Sequence, residues 1–83
     1  MRKYARQLNN YVHTRPMQVP KFWCDGALYF LDLLEIGGHE TETTSALRHL
    51  LCEVRYNDDV SYNYKESLTE IRRLASKIYQ EVK

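Results

Sequence analysis

The chain has 83 residues, 43% hydrophobic and 28% charged, with a formal net charge of +1. This composition excludes a disordered segment and is typical of one globular domain, which we assign to residues 1–83. No run approaches the ~18 apolar residues of a membrane span, and the N-terminal residues lack the apolar stretch of a secretion signal. Two cysteines are too few for a disulfide framework, so we expect a cytoplasmic protein with no membrane partner.

The first predicted helix covers residues 2–13. Apolar side chains recur there at helical intervals, including Tyr4, Ala5, Leu8, Tyr11 and Val12. Proline restricts both itself and the residue before it, so the stretch 13–20, which contains Pro16 and Pro20, is predicted to be an extended connector.

The second predicted helix covers residues 24–36 and is apolar almost all round. A helix of this kind is usually the most buried one, so we expect it to lie at the centre of the fold. Asp25 is an acceptable N-cap, and Gly37 is predicted to end the helix in the left-handed conformation, which glycine adopts without strain.

The third and fourth predicted helices cover residues 41–56 and 63–82. The third has an apolar stripe around Leu47 and Leu51, with Thr41 as its expected cap. The fourth begins at Asn63 and carries apolar residues at alternating intervals of four and three, namely Tyr64, Leu68, Ile71, Ala75, Ile78 and Val82. Such a heptad seam permits a homo-oligomer, although a seam facing its own bundle is the favoured interpretation.

Together these patterns predict an all-α fold, a compact single-domain bundle of about four helices. No segment shows the strict alternation of apolar and polar residues that is typical of strands.

Motifs for metal, phosphate and catalysis each lack a required residue. His39 and Glu40 resemble the start of the zinc motif H-E-x-x-H, but Thr43 stands where the second histidine belongs. Gly37 and Gly38 are followed by acids and by no lysine, which a phosphate-binding P-loop needs. The chain also has no recognisable nucleophile motif. We therefore expect no metal, no cofactor and no enzymatic activity.

Charge is distributed unevenly along the chain. Residues 1–24 hold five basic residues and no acid, whereas residues 25–59 hold eight acids and two bases. Either the basic ends fold against the acidic middle, or the two charges face different partners. Four of the bases form a candidate basic patch for a partner protein or nucleic acid: Arg2, Lys3, Arg6 and Arg15. Tyrosines interleave with these bases, as in surfaces that bind phosphates and stack on bases.

A second candidate surface surrounds the turn before the fourth helix. Its residues form the acidic–tyrosine patch: Tyr56, Asp58, Asp59, Tyr62 and Tyr64. Tyrosine is enriched at interface hot spots because it brings a large area and a polar tip. The competing interpretation places these tyrosines at the edge of the core.

These observations predict a small non-enzymatic protein-binding module. Chains of this size and kind are often regulators, adaptors or inhibitors, such as those of mobile elements and viruses, which act by surface occlusion or by bridging. The alternative is a nucleic-acid-binding protein that uses the basic patch.

Overall fold

A computed structural model describes residues 2–59 and 61–83 and has four α-helices joined by short connections. They are α1 (Arg2–Thr14), α2 (Pro20–Ile36), α3 (Glu42–Arg55) and α4 (Tyr64–Val82). The predicted all-α bundle is therefore confirmed, and both ends of α1, α3 and α4 lie within one residue of their predicted positions. The predicted caps of α3 and α4 are confirmed as well, since Thr41 accepts a hydrogen bond from the Thr44 amide and Asn63 accepts one from the Lys65 amide.

Helix α2 begins four residues earlier than predicted, at Pro20. Proline suits the first helical position because the N–H there has no partner in the helix and the ring fixes φ near its helical value. Val19 occupies the N-cap without a side-chain hydrogen bond. The expected cap, Asp25, lies inside the helix and pairs with Arg55 instead. The extended connector is therefore shorter than predicted.

The predicted conformation of Gly37 is wrong by one residue. Gly37 ends α2 with a right-handed φ of −73°, and the left-handed conformation belongs to Gly38, with φ 100°. The amides of Gly37 and His39 donate to the carbonyls of Leu33 and Leu34, both at 3.0 Å, which satisfies the last turn of the helix.

The helices form a closed ring in which each packs against two neighbours. Helices α1 and α3 both contact α2 and α4, whereas α2 and α4 do not contact each other across the described residues. Neighbours are antiparallel: Arg72 donates to the Val12 carbonyl at 2.9 Å, and Ser76 donates to Asn9 at 3.1 Å. Buried residues of all four helices share one core. The prediction that the second helix is central is therefore wrong, since every helix keeps one face outside the ring.

The heptad seam of α4 faces its own bundle. Ile71, Ala75 and Ile78 are fully buried, and Tyr64, Leu68 and Val82 pack partly buried against the same core. A homo-oligomer through this seam would require the bundle to open.

Glu81 ties the end of α4 to the beginning of α3. Its carboxylate accepts hydrogen bonds from Thr43 Oγ1 at 2.6 Å, Thr41 Oγ1 at 3.1 Å and His39 Nε2 at 3.0 Å. Burial alone would raise the pKa of Glu81, but these hydrogen bonds outweigh burial and lower the pKa below its ordinary value. The ionised carboxylate therefore fixes the corner between α2 and α3 against the end of the chain.

We predict that Glu81→Gln reduces the free energy of unfolding by about 1 kcal/mol at pH 7, because a neutral amide is a weaker acceptor. A lowered pKa in the folded state adds stability above the unfolded pKa, and that stability is lost as pH falls through the folded value. The difference between the parent and the variant should therefore shrink below pH 4.5, the ordinary value for this carboxyl. Urea unfolding between pH 3 and pH 7 measures this difference in the free energy of unfolding. The control is Glu53→Gln at an exposed position. A difference that does not change with pH would contradict the assigned role of the ionised Glu81 carboxylate.

Candidate functional site

The structure divides the acidic–tyrosine patch into exposed and packed members. Tyr56 is 71% exposed, and Asp58 is exposed beside it. Tyr62 and Tyr64 are partly buried against the core, and the Tyr62 hydroxyl lies 2.7 Å from Ser67 Oγ. Asp59 shapes the turn, since its carboxylate accepts from the Ser61 amide and hydroxyl, which lowers the pKa of Asp59. A partner contact made by all five residues remains a prediction.

The basic patch is exposed to solvent. Arg2, Lys3, Arg6 and Arg15 are all exposed, and none is paired with an acid in residues 2–59 and 61–83. The basic N-terminal residues are one candidate to fold against the acidic middle of the chain. Among the described residues, a single ion pair joins these two parts, Lys21 with Asp58 at 3.5 Å. Most of the N-terminal positive charge therefore faces solvent.

The acids of α2 are instead paired with arginines of α3. Arg48 binds Asp32 and Glu35, with its Nε 2.7 Å from the Glu35 carboxylate, and Arg55 binds Asp25 at 2.7 Å. Desolvation would lower the pKa of Arg48, but the two carboxylates outweigh it and raise that pKa. One flank of α2 is thus lined by charges that are already paired.

The outer face of α2 is apolar and exposed. Phe22 is 73% exposed, Tyr29 61% and Ile36 83%, at intervals of seven residues along the helix. With Val19, Gly26 and Leu33 they form a line at intervals of three and four, which we call the outer seam. The sequence predicts that α2 is the most buried helix, and this prediction is wrong for its outer face. The spacing itself was visible, but α2 carries two apolar faces, and periodicity does not say which one the bundle covers.

Tyr11 connects α1 to this face of α2. Its ring lies against Gly26, its centroid is 5.7 Å from those of Trp23 and Phe30, and its hydroxyl donates to the Trp23 carbonyl at 2.8 Å. Burial raises the pKa of the Tyr11 hydroxyl, so it remains a donor at neutral pH. This contact determines how closely the two helices approach.

A groove runs between α1 and α2 beside the outer seam. One part, of about 410 Å³, is lined by Tyr11, Arg15, Pro16, Gln18, Val19, Phe22 and Trp23. The adjoining part, of about 220 Å³, is lined by Gln7, Asn10, Tyr11, Thr14, Arg15 and Phe30. Arg15 borders both parts: its guanidinium lies 5.5 Å from the centroid of the Tyr11 ring, and its carbonyl accepts from Trp23 Nε1 at 2.9 Å. We call this feature the α1–α2 groove.

The cysteines and histidines do not assemble into a site. Among the residues that the structure describes, no three His, Cys, Asp or Glu side chains converge as metal ligands. Cys24 is fully buried, and burial, together with the neighbouring Asp25, raises the pKa of its thiol to about 12. A thiol of this kind stays protonated and is a poor nucleophile at neutral pH.

Within residues 2–59 and 61–83, no helix combines the length and the hydropathy that crossing a bilayer requires. Comparisons with protein-family models, curated proteins and solved structures found no match to the chain. The candidate function therefore depends on the geometry of the outer seam and the α1–α2 groove.

We predict that Gly26→Ala lowers the free energy of unfolding by about 1–3 kcal/mol through overpacking. An added Cβ would lie 2.1 Å from Tyr11 Oη and 2.5 Å from its Cζ. Alanine normally stabilises a helix by about 1 kcal/mol relative to glycine. In a Tyr11→Leu background, which removes the ring, the same substitution should therefore be stabilising. Urea unfolding of the four chains measures this cycle, and a parent chain stabilised by Gly26→Ala would contradict the close contact.

We predict that Phe22→Ser changes the free energy of unfolding by less than about 0.5 kcal/mol, because the ring is exposed and the two residues have similar helix propensity. Leu31→Ala, at a fully buried position of the same helix, should cost about 2–5 kcal/mol. Thermal and urea unfolding compare the two variants. A large loss for Phe22→Ser would mean that the outer seam contributes to folding of the single chain.

Proposed function

We propose that the protein is a small non-enzymatic module that binds another protein through the outer seam, and that it works as a regulator, adaptor or inhibitor by occluding or bridging its partner. The observation that carries this proposal is the exposure of Phe22, Tyr29 and Ile36 on one face of α2. Contiguous exposed apolar surface is typical of protein-binding sites in otherwise soluble folds.

The energetics support a protein partner. Burying a large apolar side chain is worth about 1.5–3 kcal/mol, and the outer seam offers three such side chains that the bundle leaves largely uncovered. Phe22 and Ile36 are 14 residues apart, which corresponds to about 21 Å along a helix and matches the length of a short partner helix. Exposed Tyr56 and Asp58 follow α3, and Asp58 pairs with Lys21 beside Phe22, so a contact there would extend the surface that the partner occludes.

The test is affinity capture from the source cell with quantitative mass spectrometry. We expect proteins retained by the parent chain to be lost by the triple variant Phe22→Ser, Tyr29→Ser and Ile36→Ser, since hot-spot side chains typically contribute 2 kcal/mol or more each. The double variant Tyr56→Ser and Asp58→Lys is the matched control and reports on the acidic–tyrosine patch. Circular dichroism must show that each variant is folded. Equal capture by the parent and the triple variant would exclude the outer seam.

A second candidate function is nucleic-acid binding, which is favoured by the exposed charge of Arg2, Lys3 and Arg6 on α1. Binding of a generic single-stranded oligonucleotide that weakens steeply with salt would support it. That binding should disappear in the variant Arg2→Gln, Lys3→Gln and Arg6→Gln and persist in the triple serine variant. No salt-sensitive binding of the oligonucleotide by the parent chain would favour the protein partner.

A further inference from the structure

We propose that the partner segment is an amphipathic helix whose apolar face covers the outer seam and whose acidic residues lie along the flank that faces α1. This inference rests on the proposed function and specifies the chemistry of the partner. It follows from the difference between the two flanks of the outer seam.

The flank formed by α1 carries positive charge without compensation. Arg15 borders the α1–α2 groove next to Phe22 and has no carboxylate partner among the described residues. Lys3 lies one helical turn before Gln7, which lines the other part of the groove, so it extends the same rim. Residues 1–24 contain no acid at all. A partner segment that binds here gains affinity from its carboxylates and loses affinity from ammonium or guanidinium groups.

The flank formed by α3 is different because its two arginines are already paired with three carboxylates of α2, which leaves one negative charge in excess. Asp25 is held by Arg55, and Asp32 is held by Arg48. This flank offers no unpaired cation to a carboxylate, and its acids favour neutral or basic residues on the partner. The complementary helix is therefore asymmetric, with acids on one side of its apolar face only.

The rim also predicts the spacing of the acids. Lys3 on α1 and Arg15, the first residue after α1, are 12 residues apart, about 18 Å along the helix axis. The partner's acids should therefore be about three turns apart, one near the Phe22 end of the outer seam and one near the Ile36 end. Between them, apolar side chains at helical intervals lie over Phe22, Tyr29 and Ile36, in the helix-in-groove mode of recognition.

A second copy of the chain fits this surface less well. In a dimer formed through two α2 helices, the nearest carboxylates of the other copy are Asp25, Asp32 and Glu35, which already bind its own arginines. Nucleic acid also fits less well, because Val19, Leu33 and Ile36 cannot stack on bases, and the acids of α2 repel phosphate. A separate acidic helix satisfies both the apolar and the charged parts.

The test is selection from a displayed library of 18-residue helical peptides against the full chain. The library fixes a leucine seam and varies the positions on its two flanks among Glu, Lys and Gln. We expect selected peptides to carry Glu on one flank and to avoid it on the other. Their affinity should fall about three- to tenfold with Arg15→Gln and Lys3→Gln, since each exposed ion pair contributes modestly. Charge reversal with Arg15→Glu and Lys3→Glu should select Lys on that flank instead.

The controls separate this inference from the proposed function. One outcome is that selected peptides fail to bind the triple variant Phe22→Ser, Tyr29→Ser and Ile36→Ser and yet carry no acidic flank. That result would overturn the acidic helix and leave the outer seam as a protein-binding surface. Peptides that bind the triple serine variant equally well, or a library that yields no binder, would overturn both. A dimer in sedimentation equilibrium that the triple serine variant abolishes would assign the outer seam to a second copy. We expect an oligonucleotide to displace none of the selected peptides from the chain. Displacement would favour nucleic acid as the ligand of this surface.

Discussion

The contact of Tyr11 with Gly26 is the constraint on which the arrangement of α1 and α2 depends. Because residue 26 has no side chain, the Tyr11 ring reaches the backbone of α2 and its hydroxyl binds the Trp23 carbonyl. Trp23 in turn donates to the carbonyl of Arg15. These links position the end of α1, the connector and the start of α2 as one unit, so the groove and its arginine are determined by packing rather than by a flexible loop.

The closed ring explains why an apolar helix is left half exposed. A helix with two neighbours and no third layer buries about one face, whatever the composition of the other. Helices α1, α3 and α4 follow this rule with mainly polar outer faces, for example the solvent-facing Lys3, Glu53 and Lys77. Helix α2 also buries one face, but its outer face is apolar, since Phe22, Tyr29 and Ile36 occupy the solvent side. This exception is the basis of the proposed protein-binding surface.

Local signals predicted most of the fold, and long-range contacts account for what they missed. The stripes of α1, α3 and α4 and the caps Thr41 and Asn63 depend on neighbouring residues, so the sequence contains them directly. The early start of α2 at Pro20 was missed because proline is compatible with both a connector and a first turn. Of the candidate site, Arg15 was recognised by its charge. The outer seam was not, because α2 carries enough apolar residues for two faces and only the tertiary structure shows which one has neighbours.

The buried thiol of Cys24 has a consequence for how α2 can be observed. It lies on the buried face of α2, the helix that carries the outer seam, with no exposed surface and a pKa of about 12. A thiol-reactive reagent therefore modifies it only after α2 has detached from the core, whereas Cys52 on α3 is partly accessible in the closed bundle. The ratio of the two labelling rates therefore measures how often α2 opens. A ligand bound to the outer seam would lower the labelling rate of Cys24 without contacting either sulfur.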